Sequence, residues 1–367
     1  MAVVHQTILE IDLNALQHNF EYLTSTLHQN TKILAVVKAF GYGTDASIIA
    51  KKLENLNVDY FAVAYAKEGV SLRDAGIKTP ILVLHPQIID FRTLIEHHLE
   101  PNLYSKRVLE SFIQEGESQH LKNYPIHIKF NTGLNRLGFS ENDIDMIISS
   151  IKNTKSVKIT SVFSHLAASE DKSEKDFSKH QINTFKKVTD QLTLKLEYKP
   201  ILHMTNTSGI LNYPEAHFDM VRAGIGLFGF ANDELHTKKL RNVAALKSII
   251  SQIHTIEKDQ SVGYNRAFIS DKLIKTATIP IGHADGIHRA FGNGKGYVTI
   301  LGEKAPIIGN VCMDMIMVNI TDINCKEGDE VIVFDNQSTV DDLAKRINTI
   351  SYEILTAISQ RVKRIVN

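Results

Sequence analysis

The sequence has no surplus charge of either sign: Lys plus Arg and Asp plus Glu each number 41 in 367 residues. Without a basic excess it lacks the electrostatic footprint of a nucleic-acid or anionic-membrane binder. Small molecules and other protein chains are the expected partners, with no nucleic acid and no membrane. Cysteine is nearly absent. Cys312 and Cys325 are separated by twelve residues with no metal-type Cys/His spacing around them, which argues against a disulfide framework and a zinc site; no metal is expected. Long apolar runs are missing too. No stretch approaches the roughly 18 apolar residues of a membrane span, and the opening "MAVVHQTILEIDL" has no charged segment leading into an apolar core. A cytoplasmic protein is expected. Internal repeats and low-complexity segments are likewise absent.

What is present is an apolar content of 43%, enough to fill substantial cores, in a length that suits two domains better than one. Short β-branched runs alternate with segments of helical period through the first two thirds, the pattern of βα units around a parallel sheet. Eight runs can be counted, at 33–39, 60–66, 81–85, 100–105, 126–132, 157–165, 201–206 and 220–229. Between them lie helical segments such as "DASIIAKKLENL", "SKRVLESFIQEGE", "NDIDMIISSIKN" and "DFSKHQINTFKKVTDQL", each with Asp, Ser or Asn placed to cap its start. Eight units over roughly 220 residues fit a (β/α)8 barrel; a doubly wound open sheet is the alternative, because periodicity does not show closure. After residue 236 the texture changes to strands such as "LIKTATIPIG", "GYVTIL", "APIIGNV", "MIMVNIT" and "EVIVFD" between Gly, Asp and Lys turns. The predicted organisation is an α/β barrel over 11–235 and a mostly β domain over 236–367, joined by an N-terminal strand within 1–10. "ANDELHTKKLRN" reads as the linker or as a solvated helix.

In such barrels chemistry sits at the C-terminal ends of the strands. Lys38 ends the first run, and His85, Tyr104, His165, Asn206 and Arg222 occupy or flank other ends. Lys is rarely buried unless paired or chemically employed, although a lysine snorkelling to solvent is the structural alternative for Lys38. The last two units carry "NTSGI" (206–210) and "AGIGL" (223–227), whose small residues would let backbone N–H groups approach a phosphate, though "AGIG" alone is also a common turn. A lysine beside a phosphate site suggests a Schiff base with pyridoxal phosphate, whose ring nitrogen Arg222 could face. A salt bridge from Arg222 to Asp219 is the structural alternative.

The stretch "AVVKAFGYG" resembles the pyridoxal-phosphate attachment motif of alanine racemases, and "TILEIDLNALQHNF" is similar to the opening of that family. "NTGLNRLGF", "FSHLAASE", "RAGIGLFG", "VGYNRAF", "IGHADGIHRAFGNG", "IGNVCMDMIMV" and "SYEILTAISQRVKRI" follow in the family's order. The resemblance implies a pyridoxal 5'-phosphate enzyme that interconverts L- and D-alanine, supplying D-alanine for peptidoglycan. It implies that Lys38 holds the cofactor and is one of two acid/base groups, with Tyr264 the other. Racemisation removes a proton from one face and returns one to the opposite face, so a base is wanted on each side. In the family that tyrosine comes from the partner subunit, which implies a homodimer with shared active sites.

By the same resemblance, Tyr42, Thr207, Gly224, Ile225 and Tyr352, with Asn206 close by, hold the phosphate. Arg222 faces the pyridine nitrogen, His165 orients it, and His203 lies in the adjoining "HMTN" stretch. Arg136 and the Met313 backbone N–H meet the substrate carboxylate, with Asp314 orienting the loop beside it. Lys129 occupies the position that is often carbamylated in the family, with an unmodified structural lysine as the alternative. Phe40, Thr44, Asn131 and His283 depart from the family's usual Asn, His, Asp and Tyr, which bears on entrance shape and substrate range. The competing readings are a racemase of serine or other amino acids, a barrel decarboxylase of basic amino acids, for which Cys312 falls in the wrong motif, and a non-catalytic carrier of pyridoxal phosphate, which would lack the β domain.

Overall fold

In the computed structural model, which describes residues 6–367, the β-branched runs form strands and the amphipathic segments pack outside them. Strand β1 (Ile8–Ile11) precedes eight parallel strands: β2 (Lys32–Val36), β3 (Tyr60–Val63), β4 (Ile81–Val83), β5 (Glu100–Leu103), β6 (Tyr124–Lys129), β7 (Val157–Phe163), β8 (Ile201–His203) and β9 (Met220–Ala223). The sheet closes, with β9 paired back to β2. The (β/α)8 expectation therefore holds, and the open-sheet alternative does not.

The strands end earlier than the apolar runs suggest, because the last residues of several runs leave the sheet to line the barrel mouth. Lys38 is the clearest case: the preceding Val37 N–H still bonds Ala62 O at 2.9 Å, and the chain then turns away. Two predicted caps hold, Asp45 accepting from Ser47 N and Ile48 N, and Ser105 from Val108 N. The other two differ. The helix Ile144–Lys152 follows a 3-10 turn that Ser140 and Asp143 box, and Asp176 lies inside the helix Lys175–Leu196.

The second region contains β10 (Ala244–Ile249), β11 (Gln252–Ile256), β12 (Ser261–Val262), β13 (Phe268–Ile269), β14 (Ile274–Ile279), β15 (Tyr297–Ile300), β16 (Glu303–Ile308), β17 (Ile316–Asn319), β18 (Glu330–Phe334) and β19 (Lys363–Val366). Nine strands form one sheet in the order β11-β14-β17-β16-β15-β18-β10-β1-β19, and β12 pairs with β13 in a separate hairpin. β1 thus lies in the second sheet, antiparallel to β10 and parallel to β19; residues 1–5 of the predicted N-terminal strand lie outside the described residues. The connecting stretch is partly helical, a single turn Glu234–Thr237 whose cap Asp233 accepts from His236 N. Among the described residues no helix is long and apolar enough to cross a membrane.

Candidate active site

A cavity of about 550 Å³ opens at the C-terminal ends of the barrel strands. Of the predicted site residues, Lys38, Tyr42, Lys129, Arg136, His165, Asn206, Thr207, Arg222, Gly224, Ile225 and Tyr352 line it. Tyr264 and Met313 do not. Tyr264 starts a 3-10 turn after β12 with 70% of its surface exposed, and Met313 is 59% exposed.

The segment carrying Lys38 is conformationally costly. Ala39, Phe40, Gly41 and Tyr42 all have positive φ, between 53° and 62°, which costs a non-glycine residue about 1–2 kcal/mol. Such a turn persists only where its surroundings hold it. Glu68 does so from one side: Oε1 accepts the Ala39 N–H at 2.7 Å, while Oε2 accepts from Ala64 N and Tyr65 N. Arg364 of β19 holds the other, donating to Thr44 O and Gly43 O at 2.8 Å and covering the Phe40 ring at 5.3 Å. Gly43 has φ 83°, and a Cβ there would lie 2.0 Å from Leu355 O, so no side chain fits. Burial first, then the Arg136 charge, push the Lys38 amine below the ordinary lysine range, with Glu68 opposing.

At the ends of β8 and β9 two loops of small residues close on each other at the cavity wall. Asn206 caps the short helix Thr207–Asn212 by accepting from Gly209 N. Thr207 Oγ1 accepts from both Gly224 N and Gly226 N at 3.1 Å. With its lone pairs so used, its hydroxyl proton is free to donate. A Cβ on Gly224 would come 2.6 Å from Tyr42 Oη, and one on Gly226 2.6 Å from Thr207 Cγ2. Burial, then Tyr352, push the Tyr42 phenol up, so it stays a protonated donor. Tyr352 reaches the cavity from the helix Ser351–Thr356 of the second region, its ring 6.1 Å from that of Tyr42.

Arg222 crosses the floor, only 4% exposed. It donates to His203 Nδ1, His165 Nδ1 and Ser164 O at 2.8 Å and to Met204 O at 3.0 Å. The guanidinium has donors only, so both Nδ1 atoms accept and each neutral imidazole carries its proton on Nε2. Burial, then the Arg222 charge, hold both histidines well below the ordinary value. Burial and Arg136 push Arg222 itself down to about 9. The alternative, a salt bridge from Arg222 to Asp219, is absent, Asp219 pairing with Lys199 instead. Lys129 is also buried; burial first, then Arg136, Arg222 and Lys38, bring its amine down to about 8.

Three of the four departing positions have structural roles. Phe40 lies beneath Arg364, and Thr44 donates to Gly41 O within the lysine turn. Asn131 Oδ1 accepts from Gly133 N and Asn135 N, organising the loop that carries Arg136. His283 is exposed. Asp314 pairs with Arg361 Nη2 at 2.7 Å, and Arg361 also bonds Asp285.

Sequence reasoning passed over Glu68 and Phe163. Phe163 stacks on His203 with centroids 4.8 Å apart and lies under Arg222 at 5.3 Å. The period-two alternation of Ser161, Phe163 and His165 carries that signal, whereas nothing local marks Glu68. Of the other strand-end candidates, His85 lines the cavity and Tyr104 stacks on it at 5.7 Å.

A closed barrel with a mouth cavity and a lysine, arginines and small-residue loops at its strand ends, followed by a β domain that reaches into that mouth, defines a two-domain barrel enzyme. Residues 11–232 match the family model for the alanine racemase N-terminal domain, and residues 243–366 that for its C-terminal domain. The chain is 35% identical to alanine racemase 1 of Caldanaerobacter subterraneus over 99% of this chain and 95% of that one. Alanine racemase of Clostridium difficile superposes with a TM-score of 0.92 at 33% identity, covering 99% and 96% of the two chains. Alanine racemase of Bartonella henselae, solved with covalently bound pyridoxal phosphate, superposes at 0.88 with 30% identity and 99% of both chains covered. The chain belongs to the alanine racemase family, a family of isomerases.

Proposed function

We propose that this chain interconverts L- and D-alanine with pyridoxal 5'-phosphate, Lys38 and Tyr264 being the two proton-transferring groups. The observation that carries the reading is the convergence in one cavity of Lys38, the cradle of Thr207, Gly224 and Ile225, and the buried Arg222. The residues fit the group. Thr207 has a hydroxyl proton to give, Tyr42 and Tyr352 close the cradle, and the absence of a Cβ at Gly224 leaves room beside the Tyr42 hydroxyl. When bound, the cofactor supplies an electron sink that makes the substrate's α-proton acidic; the Bartonella neighbour's covalent pyridoxal phosphate supports this assignment.

Lys38 is the attachment residue, and its lowered amine pKa suits a base near neutrality. Arg222, even at about 9, keeps its proton near neutrality. With the cofactor held there, it would face the ring nitrogen as a cation and disfavour protonation of that nitrogen, which would favour proton return over transamination. Arg136 receives the substrate carboxylate in its guanidinium fork, helped by the Met313 backbone N–H. Lys129, at about 8, has a neutral amine fraction able to take up carbon dioxide, and the resulting carbamate would face Arg136.

Tyr264 and Met313 lie outside their own chain's cavity. That supports a homodimer in which each subunit completes the other's site. The D-alanine formed would supply peptidoglycan synthesis. The deciding experiment is chiral analysis of alanine incubated with the purified chain and pyridoxal phosphate. Conversion of either enantiomer to a mixture is expected, and strong preference for serine or another amino acid would replace alanine as the substrate.

A further inference from the structure

Five consecutive barrel strands each contribute one buried polar side chain to a single connected belt: Glu100 on β5, His127 on β6, Ser161 on β7, His203 on β8 and Arg222 on β9. Each is at most 8% exposed. Such interior positions are ordinarily filled by branched apolar residues. Glu100 Oε2 lies 2.7 Å from His127 Nε2, and His127 Nδ1 lies 2.5 Å from Ser161 Oγ. Ser161 Oγ is 2.9 Å from His203 Nε2, and His203 Nδ1 is 2.8 Å from Arg222 Nη1.

The two ends set the direction of every bond between them. Arg222 only donates, so His203 Nδ1 accepts and His203 Nε2 carries a proton to Ser161 Oγ. Ser161 Oγ has no other hydrogen-bond partner among the described residues besides His127 Nδ1, so its proton goes there. His127 Nε2 then donates to the Glu100 carboxylate, which only accepts. Reversing the Ser161–His203 bond would turn His203 Nδ1–H against Arg222, donor to donor, and reversing the His127–Ser161 bond would leave the Ser161 hydroxyl proton without an acceptor.

Arg222 has no carboxylate partner of its own among the described residues; its bonds go to two histidines and two carbonyls. The belt ends at the buried Glu100 carboxylate, four residues along. Arg73, which donates to four backbone carbonyls, is a cation that also feels the Glu100 charge, and burial, then that charge, push the Tyr60 and Tyr124 phenols up.

We propose that Glu100, His127 and Ser161 are positioning residues: a one-way hydrogen-bond relay, anchored on the Glu100 carboxylate, gives His203 Nε2–H its acceptor, reinforces the tautomer that Arg222 requires and thereby helps to aim Arg222 at the ring nitrogen. The inference rests on the reading of Arg222 given above. A satisfied polar core would need the same bonds but would leave the proton direction and the reaction outcome indifferent to the charge at residue 100.

The test uses the full-length chain with 15N-labelled histidine. Long-range 1H–15N spectra of the native protein should show His127 and His203 wholly in the Nε2–H form. In Glu100→Gln, which keeps size but removes charge, and in Ser161→Ala, which cuts the belt at its middle, His203 should become a tautomer mixture. With pyridoxal phosphate and alanine, kcat should fall about tenfold at unchanged KM, and cofactor loss by transamination should rise severalfold. A native His203 tautomer in both variants overturns the relay, and so does a mixed tautomer with unchanged kcat and unchanged transamination. Should Glu100→Gln fail to fold, Ser161→Ala alone carries both readouts. A native protein that takes up no pyridoxal phosphate would sink the role of Arg222, while the tautomer spectra would still decide the relay.

Discussion

Glu68 accepts the Ala39 N–H at 2.7 Å, so a carboxylate on the second βα unit holds the left-handed turn that presents Lys38. The same carboxylate accepts two N–H groups of the loop after β3. Glu68→Ala should therefore cost about 2 kcal/mol, the scale of bonds to a charged acceptor, and lower pyridoxal phosphate affinity as well. Denaturant unfolding with and without the cofactor measures both. An unchanged unfolding midpoint would mean that the turn is held without Glu68.

Gly224→Ala probes the cradle alone. The added Cβ would lie 2.6 Å from Tyr42 Oη, forcing apart two groups assigned to the phosphate. An overpacked contact of this kind should weaken pyridoxal phosphate binding roughly 10- to 100-fold while the barrel still folds. Fluorescence titration gives the affinity and circular dichroism the fold. Unaltered affinity would remove Gly224 from the phosphate set.

The barrel is legible in the sequence because each of its eight strands is an isolated apolar run between helical segments. β10 and β11 are harder to read, since only Ile250 and Ser251 separate them and neither Gly nor Pro marks the turn. At the site, Lys38 and the "AGIGL" loop are visible from position, whereas the roles of Arg136, Lys129 and Tyr352 come through family resemblance. The supports of the lysine turn are not visible at all. Glu68 is 29 residues from Ala39 and Arg364 is 320 from Thr44, so no local period records either contact. The belt from Glu100 to Arg222 is hidden for a related reason: a lone histidine or serine in a strand reads as ordinary core until closure brings the strands together.

Lys129 should leave a mark on stability in alkaline solution. Its amine falls from 10.5 in the free side chain to about 8 in the fold. Above pH 10.5 it is neutral in both states and costs nothing. As pH falls to 8 the unfolded chain binds a proton that the native state refuses, so stability drops; below 8 the penalty is constant, of the order of 3 kcal/mol. Unfolding free energies of the native protein and Lys129→Met should diverge over that window, the variant being relatively more stable at pH 7. Parallel curves would show an amine that is not depressed.

Lys38→Ala should abolish the visible absorbance of the attached cofactor and slow racemisation by about 10²- to 10⁴-fold or more, the worth of one acid/base group. The turn itself has φ values that do not depend on the lysine side chain, so the fold should survive. A variant that keeps both the absorbance and the turnover would refute the attachment role.

Tyr264 offers a test of the shared site and of the two-base assignment together. It is 70% exposed and outside its own cavity, so the proposed reading has a partner present it. In Tyr264→Phe, washout of the α-proton should slow for one alanine enantiomer far more than for the other; equal exchange from both would contradict the assignment. Lys38→Ala and Tyr264→Phe chains should each be nearly inactive alone. Mixed, unfolded and refolded together, half the resulting dimers would pair one chain of each kind. In such a dimer the Tyr264→Phe chain supplies Lys38 to one cavity and the Lys38→Ala chain supplies Tyr264 to that same cavity, leaving one intact site and one doubly damaged. The mixture should recover about a quarter of native activity, as two-fold pairing requires. Activity no higher than the average of the two variants would place Lys38 and Tyr264 of each working site on one chain.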